Sequence, residues 1–260
     1  MVQLILIMSK AEIFWVDLQP TLYCLNTRVA QLLSRKFIVQ RWSFQHDLDE
    51  SCSIDTIHHL LNQTLQTCPQ PIHLIGHGIS GTVSCLFANK YPHLVKSVTM
   101  LSVDTLSANH WSSHYLTMRS QLPCAREKIL THLSSLLFPQ SSSHASAVFP
   151  RLLAKCLDTE FIQGSIVSQE PIGDIKVPAA PVLVLNGEID FVVDTSSRDR
   201  WSRLLKAGDR YQPMKQGRHF FQFNQSENTA KCISSFIEMI PDSFVGSHLD
   251  TSSIELINLI

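Results

Sequence analysis

The feature that most constrains the fold is a regular alternation of short apolar runs with segments of helical periodicity. The segments TLYCLNTRVAQLLSRK and SIDTIHHLLNQTLQT place apolar residues at i, i+3 and i+4, as one face of a helix does. The apolar runs are VQLILIM, EIFWVD, FIVQRWSF, PIHLIGH, VKSVTMLSV, PVLVLNG and DRYQPMKQ. Near-continuous Val and Leu, as in PVLVLNG, is typical of a strand buried on both sides. The alternation predicts an α/β fold with a mostly parallel central sheet and helices on both faces.

The alternation stops after Asp104. Residues 105–176 look like helical pieces joined by loops that contain Ser and Pro. We therefore predict a core of residues 1–104 and 177–242, a helical cap or lid of residues 105–176, and a C-terminal tail of residues 243–260. The other interpretation of the inserted segment is a helical decoration without a gating role.

Composition excludes several function classes. The net charge is −1 and no basic stretch occurs, which argues against nucleic acid as a partner. No apolar stretch reaches 18 residues, so no membrane span is expected. The seven cysteines are scattered and include no Cys-x-x-Cys, which is typical of a reduced, cytoplasmic protein. His110 and His114 are four residues apart but lack a third ligand, so we predict no metal site. We also predict no cofactor.

The stretch PIHLIGHGISGTVSCLFANKYP, residues 71–92, resembles the strand, nucleophile elbow and helix of an α/β-hydrolase. In that superfamily the turn reads Gly-x-Ser-x-Gly, and the Ser is the nucleophile. Gly76 and His77 match the motif, whereas Gly78 stands at the Ser position and Ser80 at the second Gly. The resemblance covers residues 10 to 240 and implies an α/β-hydrolase fold with a helical cap.

The same resemblance implies the other two members of a catalytic triad. The run VLVLNGEID is similar to the segment that delivers the acid, which would be Asp190, and MKQGRHFFQF to the segment that delivers the base, His219. Asp104 is a second acid candidate, since some members place theirs there. The imidazole takes the proton of the nucleophile and the carboxylate orients the imidazole. An Asp–His pair without a hydroxyl still moves protons, but it forms no acyl-enzyme.

Ser80 is the remaining hydroxyl near the elbow. It lies two residues beyond the apex, in the first turn of the predicted helix, so its side chain is rotated by about 200° from that of an apex residue. It is therefore not expected to point at the base. Gly78 at the apex adopts the strained angles of this turn without penalty.

The oxyanion hole implied by the resemblance is also altered. Family members usually carry His-Gly after the third strand, where this chain has Asp17 and Leu18. The backbone N–H groups of Gln19 and Ile79 are the donors that we expect to remain, with His77 beside them. The positive end of the helix that begins near Ile79 favours a carboxylate or another anion, whereas Asp17 would oppose one.

Three alterations together predict a pseudoenzyme: Gly78 at the Ser position, Ser80 at the second Gly, and Asp17-Leu18 in place of His-Gly. Such a protein would be non-hydrolytic and would bind a small apolar or carboxylate-bearing molecule, or interact with another protein. Two alternatives stay open. One is a hydrolase- or lyase-type enzyme in which the Asp190–His219 pair abstracts a proton. The other is a serine esterase that acts through Ser80.

Overall fold

The central element is a sheet of six parallel strands in the order β2-β1-β3-β4-β5-β6. The computed structural model describes residues 10–44, 53–106, 110–139, 143–160 and 175–241. The strands are β1 (Ile13–Asp17), β2 (Val39–Ser43), β3 (Ile72–His77), β4 (Val95–Leu101), β5 (Val182–Gly187) and β6 (Arg210–Met214). Each strand falls on a predicted apolar run, so those six predictions are confirmed; the run VQLILIM lies outside the described residues.

Helices connect the strands and form the outer layers. The helices are α1 (Thr27–Leu33), α2 (Ile54–Leu65), α3 (Ile79–Lys90), α4 (Trp111–Gln121), α5 (Arg126–Leu137), α6 (Ser143–Glu160), α7 (Ser197–Leu204), α8 (Phe221–Asn224) and α9 (Ser226–Ile237). Two short 3-10 helices, Pro20–Leu25 and Pro92–Leu94, follow β1 and precede β4.

Successive side chains of β1 point to opposite faces of the sheet and enter two separate cores. Phe14 and Val16 pack with the apolar sides of α2 and α3 and with Trp201 of α7. Ile13 and Trp15 pack on the other face with α1 and α9. The prediction of a parallel sheet covered on both faces is therefore confirmed.

The helices α4, α5 and α6 lie between β4 and β5 in the chain and share a third apolar cluster. This cluster also includes residues from the loops that follow β1, β5 and β6, so the insertion packs at the carboxyl ends of the strands. Its main members are Leu22, Leu25, Trp111, Leu130, Leu133, Phe138, Leu153, Val192 and Phe220. Residues 161–174 and the tail 243–260 lie outside the described part, and the boundaries of the cap stay a prediction.

Two expectations from composition concern the membrane and the cysteines. Among the residues that the structure describes, no helix is long and apolar enough to cross a membrane. The six cysteines in the described ranges carry free thiols, and Cys52 lies outside those ranges.

Candidate functional site

The elbow is a turn built around a single glycine. Strand β3 ends at His77 and helix α3 begins at Ile79, which leaves Gly78 between them. Gly78 has φ 52° and ψ −125°, a combination that a residue with a side chain adopts only with strain. A Cβ atom at Gly78 would have nothing within 4 Å. The predicted strand is confirmed, Gly78 has the strained angles expected of the turn, and the apex faces open space.

The predicted acid and base form a buried pair. His219 Nδ1 lies 3.1 Å from Asp190 Oδ2 and 3.2 Å from Oδ1. His219 is 2% exposed and Asp190 is 7% exposed. Burial alone would raise the pKa of Asp190, but the charge of His219 and its hydrogen bond, together with two backbone N–H groups, hold that pKa below its ordinary value. The ionised carboxylate therefore orients the ring, with Nδ1 toward the acid.

The loop that carries Asp190 is held by hydrogen bonds from backbone N–H groups and by ion pairs. The N–H groups of Val192 and Val193 donate to Asp190 Oδ1 over 2.8 and 3.2 Å. Arg200 Nη2 binds Asp194 Oδ2 at 2.9 Å, and Arg200 Nε binds Asp104 Oδ1 at 3.1 Å. Asp104, the second acid candidate, thus lies in a buried ion pair with α7, and the acid at His219 Nδ1 is Asp190.

A small cavity lies at the elbow, between the core and the inserted helices. Its free space is about 10 Å³, enough for about one water molecule. Because Nδ1 of His219 faces Asp190, Nε2 is the ring nitrogen left for the cavity side. The lining residues are Gln19, Gly78, Ile79, His110, Trp111, Ser112 and His219.

Ser80 has a structural contact instead of a place in this cavity. It is 4% exposed, and its Oγ accepts a hydrogen bond of 3.0 Å from the N–H of Leu18. The contact joins the first turn of α3 to the loop after β1. This geometry agrees with the predicted rotation of the Ser80 side chain away from the base. The Ser80 hydroxyl takes part in a structural hydrogen bond and does not occupy the position of a nucleophile.

Replacing Ser80 with Ala is expected to lower stability without changing reactivity. The variant leaves the buried Leu18 N–H without its acceptor, which costs about 1–3 kcal/mol. We expect urea unfolding to show this loss, and labelling by a fluorophosphonate to match that of the unmodified protein. Ser84→Ala is the control, since the Ser84 hydroxyl only bonds back to the Ser80 carbonyl within the helix. Fluorophosphonate labelling that depends on Ser80 would contradict this interpretation.

The donors expected at the oxyanion position are reduced to one. The Gln19 N–H donates to Asp17 Oδ1 over 3.1 Å, so the expectation that it remains a free donor is corrected. Within α3 the first hydrogen bond of the helical pattern joins the Thr82 N–H to the Gly78 carbonyl. The Ile79 N–H precedes it and has no partner within the helix, because the first N–H groups of a helix never do. Ile79 therefore stays the expected donor.

Asp17 does not stand as an uncompensated negative charge beside the cavity. Arg41 of the neighbouring strand β2 places Nε 2.8 Å from Asp17 Oδ2, and its Nη2 contacts the same oxygen. The guanidinium also lies over the ring of Tyr23, 3.9 Å from the centroid. Burial raises the pKa of Asp17, while Arg41 acts in the opposite direction. The ion pair with Arg41 thus offsets most of the repulsion that Asp17 was predicted to exert on a bound anion.

His77 positions the backbone of the base. Burial, and then the neighbouring His219, lower the pKa of His77 to about 3, so its ring is neutral at pH 7. Its Nε2–H donates to the His219 carbonyl over 3.0 Å, and the ring stacks on Phe220. Ser102 Oγ donates to the same carbonyl over 2.6 Å. His77 is therefore a positioning residue and is not in the cavity lining.

The inserted helices contribute residues that the sequence reasoning missed. Ser112, which is 2% exposed, and the half-buried His110 both line the cavity. Burial, and then His219 and His114, lower the pKa of His110 to about 4. No group of three or more His, Cys, Asp or Glu that could hold a metal occurs among the described residues. No motif marks Ser112, because its place depends on how α4 packs over the elbow.

Comparison with known proteins yields two cyanobacterial relatives, and no family model matches the chain. An uncharacterised protein of Synechocystis sp. is 30% identical over 227 residues, which cover 87% of this chain and 90% of that protein. An uncharacterised protein of Nostoc sp. is 27% identical over 244 residues, which cover 91% of this chain and 96% of that protein.

Solved structures of hydrolases share the architecture. A bacterial membrane phospholipase A has a TM-score of 0.63 at 19% identity, over 88% of this chain and 78% of that one. A meta-cleavage product hydrolase from Pseudomonas fluorescens has a TM-score of 0.61 at 14% identity, over 87% and 90%. A thermophilic esterase has a TM-score of 0.63 at 12% identity, over 88% and 90%. The protein thus has the α/β-hydrolase fold, and it belongs to the family of its Synechocystis relative.

Proposed function

We propose that this protein is a non-hydrolytic member of the α/β-hydrolase superfamily that binds the carboxylate of a small molecule at the elbow. The observation that carries the proposal is Gly78: open space replaces the apex side chain, opposite a base that is still fixed by its acid. The space left by the missing hydroxyl is then the place where a ligand atom lies.

The site lacks what acyl transfer requires. Acyl transfer in this fold needs a nucleophile within reach of the base and two N–H donors for the oxyanion. The apex is Gly78, Ser80 is bonded to Leu18, and the Gln19 N–H is bonded to Asp17. Removing the serine of a triad costs roughly a million-fold in turnover. Ester hydrolysis is therefore disfavoured as the selected activity.

The electrostatic arrangement favours an anionic group. The N-terminal end of α3 carries a partial positive charge at Ile79, where backbone N–H groups bind anions well. Arg41 forms an ion pair with Asp17, so the Asp17 carboxylate does not oppose the ligand as an isolated charge. The structural neighbour from Pseudomonas fluorescens is a serine-to-alanine mutant complexed with acetates, so a carboxylate complex occurs in this fold. Because the cavity holds about one water molecule, ligand entry requires the inserted helices to shift.

Acetate binding tests the proposal. We expect the ring resonances of His219, identified by their absence in His219→Gln, to shift saturably when acetate is added at constant ionic strength. Sodium chloride is the control for nonspecific salt effects. Gly78→Ala places a methyl group in the cavity and is expected to weaken binding at least about tenfold, through loss of space for the ligand. Unshifted His219 resonances throughout the titration would overturn the proposal.

A second function is favoured by the buried Asp190–His219 pair. Its geometry leaves Nε2 toward the cavity, where a base would take a proton from a bound molecule. Exchange of the methyl protons of pyruvate for deuterium in heavy water, followed by NMR, distinguishes an enzyme from a binding protein. Exchange that is lost in His219→Gln would favour the proton-transfer enzyme over the binding protein.

A further inference from the structure

The segment that carries the base is attached to the insertion. Arg218 Nη1 donates to the carbonyl of Ser135 over 2.6 Å and to that of Leu136 over 3.2 Å. The Phe220 N–H donates to the Leu137 carbonyl over 3.1 Å. Both chain neighbours of the base thus bind the C-terminal end of α5.

The carbonyls in these bonds are ones that a helix cannot satisfy internally. Helix α5 ends at Leu137, and the last four carbonyls of an α-helix have no N–H partner within it. The same end carries partial negative charge, which favours a cation such as the Arg218 guanidinium. A guanidinium presents several N–H donors in one plane, so Arg218 binds two neighbouring carbonyls at once. The attachment therefore suits arginine at position 218 better than lysine.

A stack of aromatic rings joins the same two parts of the molecule. Phe138, directly after α5, stacks on Phe149 of α6 at 3.9 Å and on Phe220 at 4.7 Å between ring centroids. Phe220 in turn stacks on His77 at 4.8 Å. The His77 ring donates to the backbone carbonyl of His219. The insertion and the base are thus connected by continuous ring contacts as well as by hydrogen bonds.

The contact between base and acid depends on where these attachments place the backbone. Asp190 and His219 lie in the loops after β5 and β6, so their 3.1 Å contact joins two separate loops. A hydrogen bond weakens steeply when its angle is bent. Two donors hold the His219 carbonyl, and the bonds to α5 fix the residue on either side of it. The direction of the ring is therefore set by the core and by the insertion together.

We propose that Arg218 is a positioning residue, which holds His219 against Asp190 by binding the C-terminal end of α5. The inference rests on the proposed function for the role of His219 beside the ligand. It adds that the insertion controls the base, because a movement of α5 away from the core removes these bonds and loosens the contact with Asp190. Ligand entry that keeps the base in place therefore requires a shift of the inserted helices that leaves the end of α5 where it is.

The test is the rate at which the His219 Nδ1 proton exchanges with solvent, measured by NMR in Arg218→Ala without acetate. This proton lies between the ring and Asp190 in the unmodified protein, and its low-field resonance is identified by its absence in His219→Gln. Arg218→Ala removes hydrogen bonds from a charged donor, so local opening is expected to speed the exchange by about 10- to 100-fold.

Two further variants make the result specific. Arg218→Lys keeps the charge at the helix end but lacks the planar group, so its exchange rate is expected to fall between those of Arg218→Ala and the unmodified protein. It replaces Arg218→Ala if that variant does not fold. Arg203→Ala removes an exposed arginine of α7 and is the matched control, in which the rate should be unchanged.

Backbone amides of β3 and β5 separate positioning from a general effect on stability. These amides open only with the core, so they are expected to exchange in Arg218→Ala much less accelerated than the His219 Nδ1 proton. An unchanged Nδ1 proton, or equal acceleration of that proton and of the strand amides, would overturn the inference. Failure of acetate to shift the His219 resonances would overturn the proposed function alone, because the proton exchange is measured without acetate.

Discussion

Gly78→Ser is expected to turn the protein into one that a fluorophosphonate labels and that hydrolyses p-nitrophenyl acetate. The turn already has elbow angles, His219 is oriented by Asp190, and the Ile79 N–H remains as a donor. The triad serine is worth roughly 10⁶ in turnover, and one absent oxyanion donor costs about 10²–10³. With the Gln19 N–H bonded to Asp17, a gain on the order of 10³–10⁴ over the unmodified protein is expected.

Two controls make that result specific. The double variant Gly78→Ser/His219→Gln keeps the new hydroxyl but lacks the base, so it should not be labelled. Gly78→Ala shares the backbone strain, which costs on the order of 1–3 kcal/mol in urea unfolding, and gains no reactivity. A folded Gly78→Ser protein without labelling would mean that the altered loop at Asp17 and Gln19 prevents acyl transfer by itself.

Gly76→Ala is expected to destabilise the protein by about 3 kcal/mol or more. A Cβ atom at Gly76 would lie 2.5 Å from Gly81 N and 2.5 Å from the carbonyl carbon of Ser80. These contacts are with backbone, which cannot move aside as a flexible side chain does, so β3 and α3 must separate. Urea unfolding measures the loss.

Gly208→Ala provides the matched comparison for that loss. Gly208 has φ +91° and open space around a built Cβ, so its replacement costs only backbone strain, on the order of 1–3 kcal/mol. A loss in Gly76→Ala no greater than that of Gly208→Ala would show that strand and helix are not held together as closely as the structure indicates.

Local patterns predicted the fold well, because strands and helices are encoded over short stretches, and the family resemblance led to the contact between Asp190 and His219. Strand β3 and the turn at Gly78 follow from one run of residues, and Asp190 and His219 lie in the loops that follow the recognisable strands β5 and β6. Gln19 in the loop after β1 lines the cavity as expected, but the expectation that its N–H is a free donor was wrong. Its N–H bonds to the carboxylate two residues earlier, an Asx turn for which Asp17 itself is the signal.

Contacts between distant segments could not be predicted in the same way. Arg41 reaches Asp17 because β2 lies beside β1, with Arg41 paired to Trp15, and this register depends on the order of strands in the sheet. Ser112 lines the cavity because α4 packs over the elbow, and no spacing in the sequence specifies that packing. Sheet order and the placement of the insertion are properties of the whole core.

The carbonyl of His219 accepts from two donors, the His77 ring and the Ser102 hydroxyl. Neither donor depends on the residue at the apex. The base is therefore held in place by folding alone, and a change of the apex residue leaves it where it was. A hydroxyl introduced at position 78 is therefore expected to meet a base whose backbone position does not depend on that hydroxyl.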